Sequence, residues 1–141
     1  MKISKNFSLD EFTKSETATK LGIDNTKVPD EVLKNLTLLV EYILQPLRNE
    51  VNRPITISSG YRCLKVNSAV GGVPTSQHVL GQASDIKVSG LTPYEIAKTI
   101  VDLGLEFDQV ILYPTFVHVS YHQDRNRNRI LYNKTYKGKK L

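Results

Sequence analysis

The sequence predicts an α+β domain built on a small, mainly antiparallel sheet, with helices at the N-terminus and one crossover helix. Three observations lead there. The first third repeats apolar residues at three- and four-residue spacing, as helices do. Residues 54–58 and 83–88 alternate with period two, as strands do. Two further apolar runs flank Pro114-Thr115, as the arms of a hairpin would. Helices, then a strand, a long loop, a strand, a helix and a hairpin make an order typical of α+β domains.

Each element has its own signal. Ser8-Leu9-Asp10-Glu11 is a capping box that opens a short helix. Pro29-Asp30-Glu31 opens a longer one, with Val32, Leu33, Leu36, Leu39, Val40, Ile43 and Leu47 on its buried stripe. Pro46 lacks an amide proton and is expected to kink or shorten that helix. Pro54 to Ser58 reads as a strand ending at Gly60. Tyr61 to Gly81 holds three glycines and a proline without periodicity, so it is expected to be a long functional loop. Ala83 to Val88 is a strand with Ile86 and Val88 on one face and Asp85 on the other. Thr92-Pro93-Tyr94-Glu95 is a second capping box, and the helix it opens ends at Gly104. Phe107–Tyr113 and Phe116–Tyr121 complete the hairpin, which places Ile111 opposite His118.

With 141 residues the chain amounts to one domain. Apolar residues at 40% and charged ones at 23% are those of a globular protein. No apolar run approaches the ~18 residues of a membrane span. Met1 to Leu9 has no apolar core of the signal-peptide kind, so the expectation is synthesis in the cytoplasm without a secretory signal. A single cysteine, Cys63, excludes an internal disulfide and a multi-cysteine metal site.

The net charge of +5 is unevenly spread. From Arg125 to Leu141 there are seven basic residues and no acidic one, which leaves 12 basic against 14 acidic side chains, or −2, in the rest. The expected division is therefore a single domain over 1–124 and a basic tail over 125–141. Such a tail suits an anionic partner, or is a solvated terminus. No recognition helix or aromatic stacking motif accompanies it, so no specific nucleic acid is expected as a partner.

His78, Asp85 and His118 are the candidate metal ligands. Two imidazoles and a carboxylate make a three-ligand zinc set whose fourth position stays open for water. Taken singly, His118 fits a hydrogen-bonded buried histidine, Asp85 a surface carboxylate and His78 an ordinary loop residue.

Ser76-Gln77-His78-Val79-Leu80-Gly81-Gln82-Ala83-Ser84-Asp85 resembles the SxHxxGxAxD motif of the zinc D-alanyl-D-alanine carboxypeptidases and related cell-wall endopeptidases. Phe116-Val117-His118-Val119-Ser120-Tyr121 is similar to the family's downstream ligand motif, and Ser59-Gly60-Tyr61-Arg62 to its SGYR segment. Asn67 through Gly72, Asn6 through Phe12 and Leu47-Arg48 resemble the branch found in bacteriophage genomes. The resemblance runs from about residue 6 to 122. It implies a hedgehog/DD-peptidase-like fold with one Zn2+ per chain on the sheet face, held by His78, Asp85 and His118. It implies that Arg62 binds a substrate carboxylate and that Ser76 is a polar residue beside the ligand loop. The activity implied is hydrolysis of a peptide bond in peptidoglycan stem peptides by a monomeric, phage-encoded endolysin or carboxypeptidase acting at the bacterial wall. The chain departs from the pattern at Thr115, where many members carry Asp or Glu as general base. Tyr113, Glu106 and Asp124 are the candidates for that role, or none fills it. The alternative is a catalytically impaired zinc protein that binds wall peptides or serves as a structural part of a phage particle.

Overall fold

A computed structural model describes all 141 residues. The chain begins with a two-stranded antiparallel hairpin, β1 (Lys2–Ser4) and β2 (Phe7–Ser8). Four α-helices follow: α1 (Leu9–Thr13), α2 (Glu16–Leu21), α3 (Asp30–Leu39) and, after a wide π-helical turn over Val40–Leu44, α4 (Gln45–Val51). The remainder is β3 (Ile55–Ser59), α5 (Leu64–Ala69), β4 (Ala83–Val88), α6 (Pro93–Asp102), β5 (Gln109–Leu112), β6 (Val117–Ser120) and β7 (Arg129–Tyr132). The five-stranded sheet has the order β3-β4-β6-β5-β7. All its pairings are antiparallel except β5 with β7, so the expected α+β architecture with a mainly antiparallel sheet is the one observed. No helix is long and apolar enough to cross a membrane.

Both capping boxes form. Ser8 and Glu11 close the start of α1, and Thr92 and Glu95 close that of α6, with Pro93 in its first turn. The Pro46 kink takes a specific form. The Gln45 amide donates to Val40 O, five residues back, and α4 restarts with Pro46 in its first turn. The wider turn avoids the clash that a proline ring makes in a regular helix. The side chain of Gln45 then pins the N-terminal hairpin, accepting from Ser4 Oγ at 2.5 Å and from the Asn6 amide at 3.1 Å.

One face of the sheet is covered by helices. Ile86, Val110, Leu112, Val117 and Val119 are fully buried there with Leu36, Leu39, Ile43, Leu47, Ile96 and Ile100. Strand period two sends the intervening residues, Asp85, Ile111 and His118, to the opposite face.

Several elements differ from the sequence reading. The hairpin β1–β2 and helix α2 were not expected, and α5 interrupts the 61–81 loop. Helix α2 rests on local caps: Ser15 Oγ accepts from Ala18 N at 3.1 Å, and Gly22 ends it in the left-handed conformation, φ 69°. The 125–141 segment, read as a basic tail, contributes β7. Arg129–Tyr132 pairs in parallel with β5, and Ile130 and Tyr132 pack against the core. The charge run hides this short apolar Ile-Leu-Tyr stretch.

A chain ending at Asp124 would lose an edge strand and the partner of a buried carboxylate, Asp108. Removing the partner of a buried carboxylate destabilises the fold, because the charge is left with fewer donors. The truncated chain is therefore expected to unfold at clearly lower urea than the full chain by circular dichroism. Coincident unfolding curves would show that 125–141 contributes nothing to the fold.

Candidate metal centre

Asp85 and His118 are direct partners in the β4–β6 ladder. Opposed side chains on one sheet face lie within reach of each other. Asp85 Oδ1 stands 3.0 Å from His118 Nδ1. His78 arrives from the loop before β4, with its Nε2 3.4 Å from the same carboxylate oxygen. The two imidazoles meet edge to face at 5.2 Å between centroids. One ligand atom from each of the three residues lies within 4.8 Å of the others.

The His78 loop is held by backbone contacts. His78 is 3% exposed, and its Nδ1 lies 2.8 Å from Gly60 O. A carbonyl only accepts, so Nδ1 carries the proton, and Nε2 is the ring nitrogen that faces Asp85. The Arg62 amide donates to His78 O at 3.2 Å, and Asn35 Nδ2 donates to Leu80 O at 2.9 Å. Gly81 lies at φ 73°, and a Cβ there would come 2.7 Å from Val32 O. No other residue fits between the loop and α3 without a shift. Gly60 is similarly constrained, with a Cβ placed 2.6 Å from Phe12 O.

Burial pushes the Asp85 carboxyl up. Hydrogen bonds from His118 and His78, and their charge, outweigh it and hold the group at about 2. Asp85 is therefore a carboxylate throughout the physiological range.

A cleft of about 510 Å³ opens over these residues, also lined by Arg62, Ser76, Gln77, Gln109, Tyr113, Phe116 and Arg127. Arg62 Nη2 donates to Ser76 Oγ at 3.3 Å, and Ser76 Oγ also accepts from the His78 amide at 3.2 Å. Arg62 Nε is buried without a protein partner. Asn25, 3% exposed, holds the backbone on both sides of Arg62, donating to Tyr61 O at 3.0 Å and accepting from Cys63 N at 2.8 Å. Burial pushes the Tyr113 hydroxyl up, the Asp85 carboxylate adds to this, and Arg62 opposes it. The phenol thus keeps its proton at neutral pH. Tyr113 stacks on Phe116 at 4.3 Å across the Pro114-Thr115 turn, and the Tyr113 amide donates to Phe116 O at 3.0 Å.

The structure brings His78, Asp85, His118, Arg62, Ser76 and Tyr113 to one cleft. It does not bring Thr115, Glu106 or Asp124 to its lining. His122 faces its own turn, where the ring Nδ1 accepts from the Asp124 and Arg125 amides. Apart from Asp85, no carboxylate lines the cleft.

A family model described as peptidase M15 matches residues 5–120. The chain belongs to the peptidase M15 family. This M15 chain is also similar to a zinc D-Ala-D-Ala carboxypeptidase of Streptomyces albus G, 34% identical over 61 residues. That match covers 43% of the chain and 24% of the relative, so the chain spans only about a quarter of that relative's length.

Asp108 is not among the residues that the sequence singles out. Asp108 is 1% exposed beneath the cleft. Arg127 donates to it from Nε at 2.8 Å and Nη2 at 2.9 Å, and Gln77 Nε2 donates at 2.8 Å. Asp108 thereby ties the residue next to His78 to the start of β5 and to the segment before β7. The hydrogen bonds from Arg127 chiefly, with those from Gln77, overcome burial and hold its carboxyl at about 2. The folded pKa lies below the ordinary 3.8, so the pair's contribution is fully present above about pH 4 and fades as pH falls toward 2. In urea titrations, Asp108→Asn should be less stable than the native chain at pH 6, with the gap narrowing between pH 4 and 2. A gap that stays constant over that range would contradict this account.

Proposed function

We propose that this chain is a zinc-dependent peptidase that hydrolyses a peptide bond in peptidoglycan stem peptides. The observation that carries the reading is the convergence of His78 Nε2, Asp85 and His118 Nδ1 on one cleft in a chain of a peptidase family. The name of the Streptomyces relative supports the metal and points to a D-alanine-containing peptide as the substrate class. The donor set fits the ion: two imidazole nitrogens and one carboxylate suit zinc, and three protein ligands leave a position open. When bound, zinc supplies Lewis acidity at a scissile carbonyl and a nucleophile at neutral pH.

The protein's own groups bind and orient. Arg62 holds a substrate carboxylate, for which its buried, unpartnered Nε is a ready donor. Ser76 keeps that guanidinium beside the His78 loop. Tyr113, still protonated, donates to the oxygen on which negative charge develops. Gly60 O fixes the His78 ring so that Nε2 faces the site.

One observation favours a second reading. The only carboxylate lining the cleft is Asp85, itself a ligand, so no side-chain carboxylate is free to act as general base. A wall-peptide-binding protein that holds zinc without turnover fits this equally.

Mass spectrometry of purified peptidoglycan treated with zinc-loaded protein separates the two. The peptidase reading expects a released fragment, whose mass names the bond cut. His118→Ala should abolish release and lower the zinc content by elemental analysis. Zinc bound at one per chain with no fragment from any wall type would leave the binding reading standing and end the peptidase one.

A further inference from the structure

The cleft presents two guanidinium groups, and the proposed chemistry uses only Arg62. Arg127 lines the same cleft from the segment between β6 and β7. Its Nε–Nη2 edge and its backbone amide are all bonded to Asp108, at 2.8, 2.9 and 3.2 Å. Nη1 makes no hydrogen bond to the protein, and the side chain stays 36% exposed. A guanidinium fixed along one edge is pre-organised to bind along the other, since little rotamer freedom remains to be lost. The charges agree: Arg62 and Arg127 face a single lining carboxylate, Asp85, and a bound dication adds to the positive side.

We propose that Arg127 is a second carboxylate-binding residue. It selects stem peptides that carry two free carboxylates near the scissile bond over those in which one is amidated. Arg62 takes one carboxylate and the free edge of Arg127 takes the other. The inference rests on the stem-peptide reading above and deepens it.

The test uses zinc-loaded full-length protein and a pair of L-Ala-γ-D-Glu-L-Lys-D-Ala tetrapeptides. One carries the free α-carboxylate of D-Glu, the other its amide. The readout is the acid-to-amide ratio of affinities by calorimetry, or of kcat/KM where cleavage occurs. A charge-assisted pair predicts a preference for the acid of about tenfold or more. Arg127→Gln should bring the ratio close to one by weakening the acid far more than the amide. Arg127→Lys should restore part of the preference, and Arg62→Gln should weaken both peptides and keep the ratio. If Arg127→Gln fails to fold, the double variant Asp108→Leu/Arg127→Met, which removes the buried pair together, gives the same readout. A native protein that engages both peptides equally, or a ratio unchanged in Arg127→Gln, overturns the role of Arg127 alone. A native protein that engages neither peptide overturns the stem-peptide reading and this inference with it.

Discussion

The site depends on the register between β4 and β6. The pairing that sets Asp85 against His118 also sets Ile86 against Val117, one residue along and on the opposite face. Period two ties the two outcomes together. Burying Ile86, Val117 and Val119 under the helices leaves Asp85 and His118 no place but the open face. A slip of one residue would push the carboxylate into the core and an isoleucine into the cleft. The core thus fixes the relative placement of these two candidate ligands. Opposed residues on a sheet face lie close by construction, so neither side chain needs strain to reach the other.

The third candidate ligand has no such support, because a loop has no register of its own. His78 is placed instead by contacts with backbone far away in sequence. Gly60 O takes its Nδ1–H, the Arg62 amide takes its carbonyl, and Asn35 holds the loop two residues on. On the far side Gln77 is bonded to Asp108. Gly60 and Gly81 admit this packing because neither site has room for a Cβ. These contacts offset the entropy of fixing a loop, which would otherwise favour many positions of His78 over one. They also link Ser76, Arg62 and His78: hydrogen bonds of 3.3 and 3.2 Å to a single hydroxyl join the Arg62 guanidinium to the His78 amide.

How far the sequence disclosed this follows from where each element draws its stability. Strand β4 was legible to both ends, and α6 from its capping box to Gly104, because period and caps are local signals. Helix α3 was legible from its stripe, and the Pro46 break from the chemistry of proline, although the form of the break was not. The segments β1, β2 and β7 are two to four residues long and owe their existence to partners that sequence spacing does not reveal. Strand β7 was further masked by the basic residues around it. The cleft repeats this pattern. His78, Asp85, His118, Arg62 and Ser76 sit in recognisable motifs. Asn25 and Asp108 were invisible because their work lies in three-way hydrogen bonds between segments remote in the chain.

Asp85 and Asp108 show how one residue type reaches two ends through its partners. Both carboxyls sit near 2, and both are held there by hydrogen bonds that outweigh burial. The donors to Asp108 are a guanidinium, an amide side chain and a backbone amide, none of which can give up a proton at any relevant pH. That carboxylate is permanently satisfied and serves as a strut. The partners of Asp85 are two imidazoles, whose ring nitrogens can exchange a proton for a metal. Its bonds can be traded for coordination without leaving any group buried and unpaired. The difference makes the first pair a closed structural joint and the second a candidate metal site, although charge and depth alone would not separate them.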